Sequence, residues 1–471
     1  MIQLRYSQRH LGEVFFAQEA ETLWEPWMRQ VDQILEDEHL LEMVYDRLAR
    51  RWPRSATRGR KHTPAEVVLR LMVLRHLRNL SFAMLEREVR ANLLYRMFTR
   101  IGTEKVPDSK TLARLGQAWG TEVIEQIHGR RMEMARQQKL IRGRKMRVDT
   151  TVVEANIHYP TDSSLLGDGA RVLTRIMQKV TARVGPPGTR LRNRLRSVGH
   201  RVMEIARLSR AKGEQQQEKM QGKYRELVRL TRQVRNQAQR FGAEIESGVK
   251  RVRNRKKQAV LRGFEQELKA LIPLVDQVVR QTRARVFRGI VDSPGKVLSL
   301  FEPTAEVIRK GKAGKPNEFG KVVKIQEAEN QILTHYEVYR RKPADSDLLL
   351  PALAVHQQRL GRMPDLVAAD AGFYSASNER EAQRQGVKRV SIPNRSTKSA
   401  SRRAHQKKRW FRKGQKWRTG CEGRISVLKR RHGLNRSRYR GEQGMERWIG
   451  FGVIADTLIN RGRVLASRES G

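Results

Sequence analysis

Three runs of apolar residues at helical spacing, set between two strand-rich segments, constrain this chain most. Leu191, Leu195, Val198, Val202, Ile205 and Leu208 recur at intervals of 4, 3, 4, 3 and 3 residues. Tyr224, Leu227, Leu230, Val234, Ala238 and Phe241 repeat the pattern, as do Leu261, Phe264, Leu268, Leu271, Val275 and Val278. A helix turns once in about 3.6 residues, so each run lays one apolar stripe along one face and predicts an amphipathic helix with a coiled-coil-like seam. Gly213, Gly242 and Gly248 are the expected breaks between them. The outer faces are basic, since residues 181–290 hold 28 Lys and Arg against 9 Asp and Glu. The stretch reads as a helical insertion, either a spacer or a DNA-facing surface.

The segments on either side differ in texture. Up to about Gly120 the chain reads helical. Thr63-Pro64-Ala65-Glu66 has the form of a capping box ahead of the apolar run VVLRLMVLRHL, which predicts a buried helix. Ser81, and Asp108 or Ser109, are candidate caps of further short helices. Residues 1–125 therefore suit either a helix-turn-helix-like DNA-binding domain or an ordinary helical bundle. From Lys145 the sequence KMRVDTTVVEANI turns to Val and Thr and predicts a strand, with Asp149 facing away from Val148. Further strands are expected at 297–301, 322–325, 332–339, 366–370 and 390–392, alternating with helices in the α/β manner. The expected layout is an α/β domain of residues 140–180 plus 291–462, interrupted by the insertion at 181–290.

Charge bounds the partner. The chain has 97 Lys and Arg against 49 Asp and Glu, a net charge of +48 over 471 residues. Such a field repels itself unless a polyanion shares the space, which points to nucleic acid ahead of an anionic membrane surface or an acidic protein. The single cysteine, Cys421, excludes an intrachain disulfide and fits a reducing, cytoplasmic setting. The opening MIQLRYSQRH lacks the apolar core of a signal peptide, and no apolar run is long enough to span a bilayer. A cytoplasmic, nucleoid-associated protein with no membrane partner is expected.

Against this basic background three acids stand out. Asp149 lies mid-strand, Asp370 ends LVAAD before AGFYS, and Glu422 sits where residues 380–440 hold 22 bases and only 2 acids. The carboxyl ends of α/β strands are where ligands bind. Three carboxylates brought together can hold two Mg²⁺ ions for phosphodiester chemistry. Each acid also has a plainer reading: Asp149 as the partner of Arg147 or a lysine, Asp370 as a turn acid, Glu422 as half of a helical ion pair with Arg418 or Lys429. Arg418, Glu422 and Lys429, at offsets of −4, 0 and +7, share a narrow arc of one helical face. Glu154, His158 and Asp162 are weaker candidates, His158 and Asp162 reading better as structure. Cys421 reads as a small packing residue with no base beside it.

In these residues the chain resembles the prokaryotic insertion-sequence DDE transposases. One large group of that family carries a C-terminal Y-x2-R-x3-E-x6-K signature; here R-x3-E-x6-K is Arg418, Glu422 and Lys429, with Gln415 where the tyrosine stands. Val148-Asp149-Thr150-Thr151 matches the context of the family's first acid, and Ala369-Asp370-Ala371-Gly372-Phe373 that of the second. ANIHYPTDSSLL (155–166) and FEPTAEVIRKGKAGKPNEFGKVV (301–323) are also similar. The resemblance runs from the N-terminal helices to about Asn460, while 181–290 matches only in kind. In the best-known relatives the insertion falls between the second Asp and the Glu; here it falls between Asp149 and Asp370.

The resemblance implies an α/β RNase H-like catalytic domain, a mixed sheet flanked by helices, with an N-terminal all-α domain and a helical insertion. It implies a transposase that binds the terminal inverted repeats of its element and target DNA as a homodimer, and that cleaves and transfers strands. Asp149, Asp370 and Glu422 would be the catalytic residues and would bind two Mg²⁺ ions, with Mn²⁺ as a substitute. Arg418 and Lys429 would hold DNA phosphates. The alternative from another class is a catalytically inactive or domesticated DNA-binding protein.

Overall fold

The computed structural model describes residues 1–6, 18–51, 62–184, 188–210, 213–249, 254–309 and 317–469. Part of the 301–323 segment, residues 310–316, therefore lies outside the described residues. The chain divides into two compact units: Met1–Asn156 with Ile308–Gly471, and Ile157–Val307.

In the first unit the Val/Thr-rich stretch forms β1 (Lys145–Glu154) at the centre of a mixed sheet. Its neighbours are β3 (Asn317–Glu327), antiparallel, and β5 (Leu366–Ala368), parallel. Beyond β5 lies β6 (Arg389–Ser391), parallel; beyond β3 lies β4 (Leu333–Val338), antiparallel, and β2 (Glu306–Arg309) also joins β3. Alternation along β1 divides its residues between the faces. Met146 and Val148 enter an apolar core with Leu349, Leu353 and Val367, so Asp149 points to the other side. The strand expected at 366–370 stops at Ala368, leaving Asp370 in the loop past its carboxyl end. No strand forms at 297–301. Val297 exchanges both backbone hydrogen bonds with the Gln281 side chain and is buried among helices, so a side chain takes the place of a ladder.

The helices of this unit are α1 (Pro26–Ile34), α2 (Glu38–Ala49), α3 (Ala65–Leu77), α4 (Phe82–Ala91), α5 (Leu93–Phe98), α6 (Ser109–Ala118) and α7 (Thr121–Gln137) before the sheet. Every residue of α3 is buried, as its largely apolar sequence predicts, and Glu66, Arg70, Arg75 and His76 are buried with it. The expected capping box is absent: Thr63 caps nothing, because the first two helical N–H groups donate to the carbonyls of Gln3 and Leu4, while Glu66 pairs with Arg70. Ser81 and Asp108 do cap α4 and α6. The N-terminal helices share one core with Phe451, Ile454, Ala455 and Leu458 of the C-terminal helix (Glu442–Glu469), so residues 1–125 are not a separate compact unit. That last helix is buried nearly all round from Gly444 to Gly462 and needs cover on every side.

Among the described residues the second unit is a set of four helices: α8 (Asp162–Val184), α9 (Leu195–Leu208), α10 (Glu214–Val249) and α11 (Arg255–Arg288). The three expected seams meet as predicted, burying Val198, Ile205, Leu227, Val234, Phe241, Leu268 and Val278. Each such side chain contributes roughly 1.5–3 kcal/mol. The fourth helix moves the boundary from 181 back to 157, because Leu166, Leu173, Met177 and Val180 bury into the same core. Gly242 and Gly248 lie within α10 rather than between helices, while Gly213 does separate α9 from α10. Among the described residues no helix is long and apolar enough to cross a membrane.

Candidate active site

The remaining helices of the first unit follow β4: α12 (Leu349–Leu360), α13 (Ala376–Arg384), α14 (Ala400–Lys407), α15 (Arg409–Arg431) and α16 (Glu442–Glu469). Helix α15 carries the basic C-terminal motif and lies against β1, β5 and β6. It ends at a cap residue, His432, followed by Gly433 at a φ of +71°. A β-carbon at Gly433 would stand 2.8 Å from both Asn79 and Trp448, so backbone and neighbours alike require glycine.

The three acids come from three elements. Asp149 is on β1, with its side chain 13% exposed. Asp370 follows β5, where its carboxylate accepts from the Gly372 N–H at 2.9 Å. Glu422 is on α15 and mostly exposed. Arg418, only 10% exposed, joins two of them: Nη1 stands 3.5 Å from Asp149 Oδ2 and Nη2 donates to Glu422 Oε1 at 2.7 Å. Asp370 is near enough to act electrostatically on both Asp149 and Arg418. The plainer reading of Glu422 as a partner of Arg418 is thus also present, one helical turn apart.

Burial, aided by the negative charges of Asp370 and Glu422, pushes the Asp149 carboxyl up to about 6; the Thr150 N–H and Arg418 oppose the shift. Burial pulls Arg418 down, but Glu422, Asp149 and Asp370 outweigh it and hold the guanidinium above its ordinary value. Among the described residues no three acids, histidines or cysteines stand close enough together to hold a metal ion. The donor chemistry nevertheless suits a hard divalent cation: three carboxylates within electrostatic reach, two of them drawn to one positive group.

Several residues that position the site are not legible in the motif. Arg147, two residues before Asp149 and buried, donates to Glu327 on β3 and to the Trp417 carbonyl on α15, and its guanidinium lies 4.9 Å from the Trp417 ring centroid. Gly420 permits this, since a β-carbon there would collide with the Arg147 guanidinium. Gln415, in the tyrosine's place, donates to the carbonyls of Ala369 and Ser391 and so ties α15 to the strand ends beside Asp370. Asp345 is a fourth carboxylate. It accepts from Thr150 Oγ1 at 3.2 Å, and Gly372 lies between it and Asp370, where a β-carbon would stand 3.1 and 3.2 Å from their oxygens. Its single cue in sequence was its place in a loop after β4, which marks no chemistry by itself.

Other candidates fall elsewhere. His158 pairs with Asp168 at 2.7 Å, and buried Asp162 stands 3.3 Å from Arg285, both within the helical unit. Burial above all raises the Cys421 thiol well above its ordinary value, as befits a packing residue. Lys429 is half-buried, two turns beyond Glu422 on the same helix.

Comparison with known families gives two matches. A transposase domain, DUF772, matches residues 22–117, and a transposase DDE domain matches residues 295–457. Asp370, Arg418, Glu422 and Lys429 fall inside the second span and Asp149 outside it. No curated protein and no solved structure matches the chain significantly. The DDE domain implies an RNase H-like fold, with which the mixed sheet and its flanking helices are consistent. A transposase domain followed by a transposase DDE domain supports an insertion-sequence DDE transposase.

Proposed function

We propose that this transposase binds the inverted ends of its element and performs DNA strand cleavage and strand transfer at Asp149, Asp370 and Glu422. The observation that carries the reading is that Asp149 of β1 and Glu422 of α15 both pair with Arg418, with Asp370 of the loop after β5 within electrostatic reach of it. The three acids would hold divalent ions, Mg²⁺ or in its place Mn²⁺, which when bound supply activation of the attacking oxygen and stabilisation of the departing 3′-oxygen. Asp149 must give up its proton to serve, and near neutral pH it does so. Arg418 balances the acids' charge in the free protein and is placed to turn to a DNA phosphate, for which its planar fork is suited. Lys429 and the bases of residues 395–440 hold the strand around the site. Action on paired ends calls for a homodimer on DNA.

The test is strand cleavage of a duplex carrying the element's ends, with Mg²⁺. Wild type should cut and Asp149→Ala should bind but not cut. If both bind and neither cuts, the chain is a DNA-binding protein without the chemistry.

A further inference from the structure

A second group of charges shares no residue with the acidic site. Arg75, on α3, is 2% exposed, yet among the described residues no carboxylate pairs with it. Its partners are the Tyr439 hydroxyl at 3.1 Å and His76 Nε2 at 2.8 Å. Burial, and then the Arg75 charge itself, keep His76 neutral. The Arg75 Nε is buried without a hydrogen-bond partner. The guanidinium is held instead by rings, lying 4.2 Å from the centroid of Phe82 and 5.2 Å from those of Tyr439 and Trp448. A buried cation with no counter-charge is costly, and cation–π contacts offset only part of that cost.

Beside it opens a cavity of about 670 Å³ lined by Arg75, Phe82, Tyr439, Arg438, Arg440 and Arg447, with no acid in its wall. Ser81, the N-cap of α4, also lines it, so the positive end of that helix faces the same space. Arg447 spends one amino group on the carbonyls of Gln117 and Trp119, while its Nε has no partner. The sequence carries positive charge from Glu422 to this cavity without interruption: Lys429, Arg430, Arg431, Arg436, Arg438 and Arg440 follow, and no acid occurs between Glu422 and Glu442.

The geometry points to an anion site that takes a phosphate of a bound DNA strand. Arg75 supplies the buried charge and the aromatic rings hold it in place. Arg438 and Arg440 at the exposed mouth admit a polymer rather than enclosing a free ion. The site rests on the reading of DNA as substrate and adds a contact that anchors the duplex independently of the acids.

The experiment measures affinity for a short duplex across a range of salt. Arg438→Gln removes an exposed group and should leave the fold intact. It should weaken binding several-fold at about 0.1 M salt and lower the slope of log K against log salt by about 1, as loss of one phosphate contact does. Arg75→Lys, which keeps the charge but loses the planar stacking, should weaken binding as well, whereas the surface change Arg136→Gln on α7 should not. Wild type that binds duplex while Arg438→Gln and Arg75→Lys bind equally well, with unchanged slopes, overturns the site and leaves the proposed function standing. An equal loss in Arg136→Gln would also overturn it, by showing that any surface charge counts alike. Wild type that fails to bind duplex removes both.

Discussion

The helical insertion and the segment around Glu422 are both strongly basic and mostly expose that charge, yet among the described residues only the second also buries arginines, Arg418 and Arg424. In the insertion the apolar seams determine the fold, and charged groups pair on the outside, as Arg201 and Lys223 do with Glu204. Around Glu422 most bases are likewise exposed, but a few arginines there and on β1 beside it are drawn inward and spent on main-chain carbonyls and scarce acids: Arg147 on Trp417 and Glu327, Arg402 on Ile392 and Glu379, Arg424 on Asp456. Buried charges demand specific partners, whereas solvated ones do not. A similar composition therefore yields a scaffold in one region and an oriented site in the other.

The sharpest way to break this contrast is to remove single acids from each region. Asp370→Asn and Glu422→Gln should each reduce strand cleavage to background while leaving duplex affinity in place. Asp276→Asn, which removes the partner of Arg235 in the insertion, should leave cleavage unchanged. Equal losses in the two regions, read by a gel assay, would erase the distinction.

Next in size is the buried Arg147–Glu327 pair. Arg147→Met strands a buried carboxylate and should cost about 3–5 kcal/mol in urea unfolding, much of it recovered by adding Glu327→Leu. The half-buried Arg201–Glu204 pair at the surface of the insertion is the counterpart, and Arg201→Ala should cost about 1 kcal/mol or less. Comparable to the first is the insertion's own core, where Leu268→Ala should cost about 2–5 kcal/mol without changing the acids.

Acid–base linkage gives a third contrast. Asp149 binds its proton more tightly in the folded chain, at about 6, than at its ordinary value of 3.8. Its contribution to stability is therefore present below pH 4 and is lost as pH rises through 6, by up to about 3 kcal/mol. Asp149→Asn should remove that dependence, so that, relative to wild type without metal, it is more stable at pH 7.5 than at pH 3.5. Thermal melts across this range check the sign.

Residue spacing made the two regions legible to different depths. The insertion's seams could be read because helical period alone decides which side chains are buried. Its boundary could not, because α8 has a stripe like the others and nothing in that stripe says which core it joins. The order and flanks of Asp149, Asp370 and Glu422 marked the candidate site. Arg147, Gln415 and Asp345 stayed hidden because each acts through contacts between distant segments. The Thr63 capping box failed for a related reason, since two carbonyls from the chain's first residues reached the helix end first. At 297–301 the expected strand is instead an irregular stretch whose Val297 and Leu300 bury against helices, as short runs without clear alternation can.

Under the proposed function, Asp149, Asp370 and Glu422 on one sheet-and-helix frame would together hold the divalent metal. Mn²⁺ binding, followed by electron paramagnetic resonance in the presence of end-bearing duplex, tests it most directly. Wild type should bind the ion, and Asp149→Asn, Asp370→Asn and Glu422→Gln should each weaken that binding while Asp276→Asn does not. Binding that is unchanged in all three site variants would contradict the account.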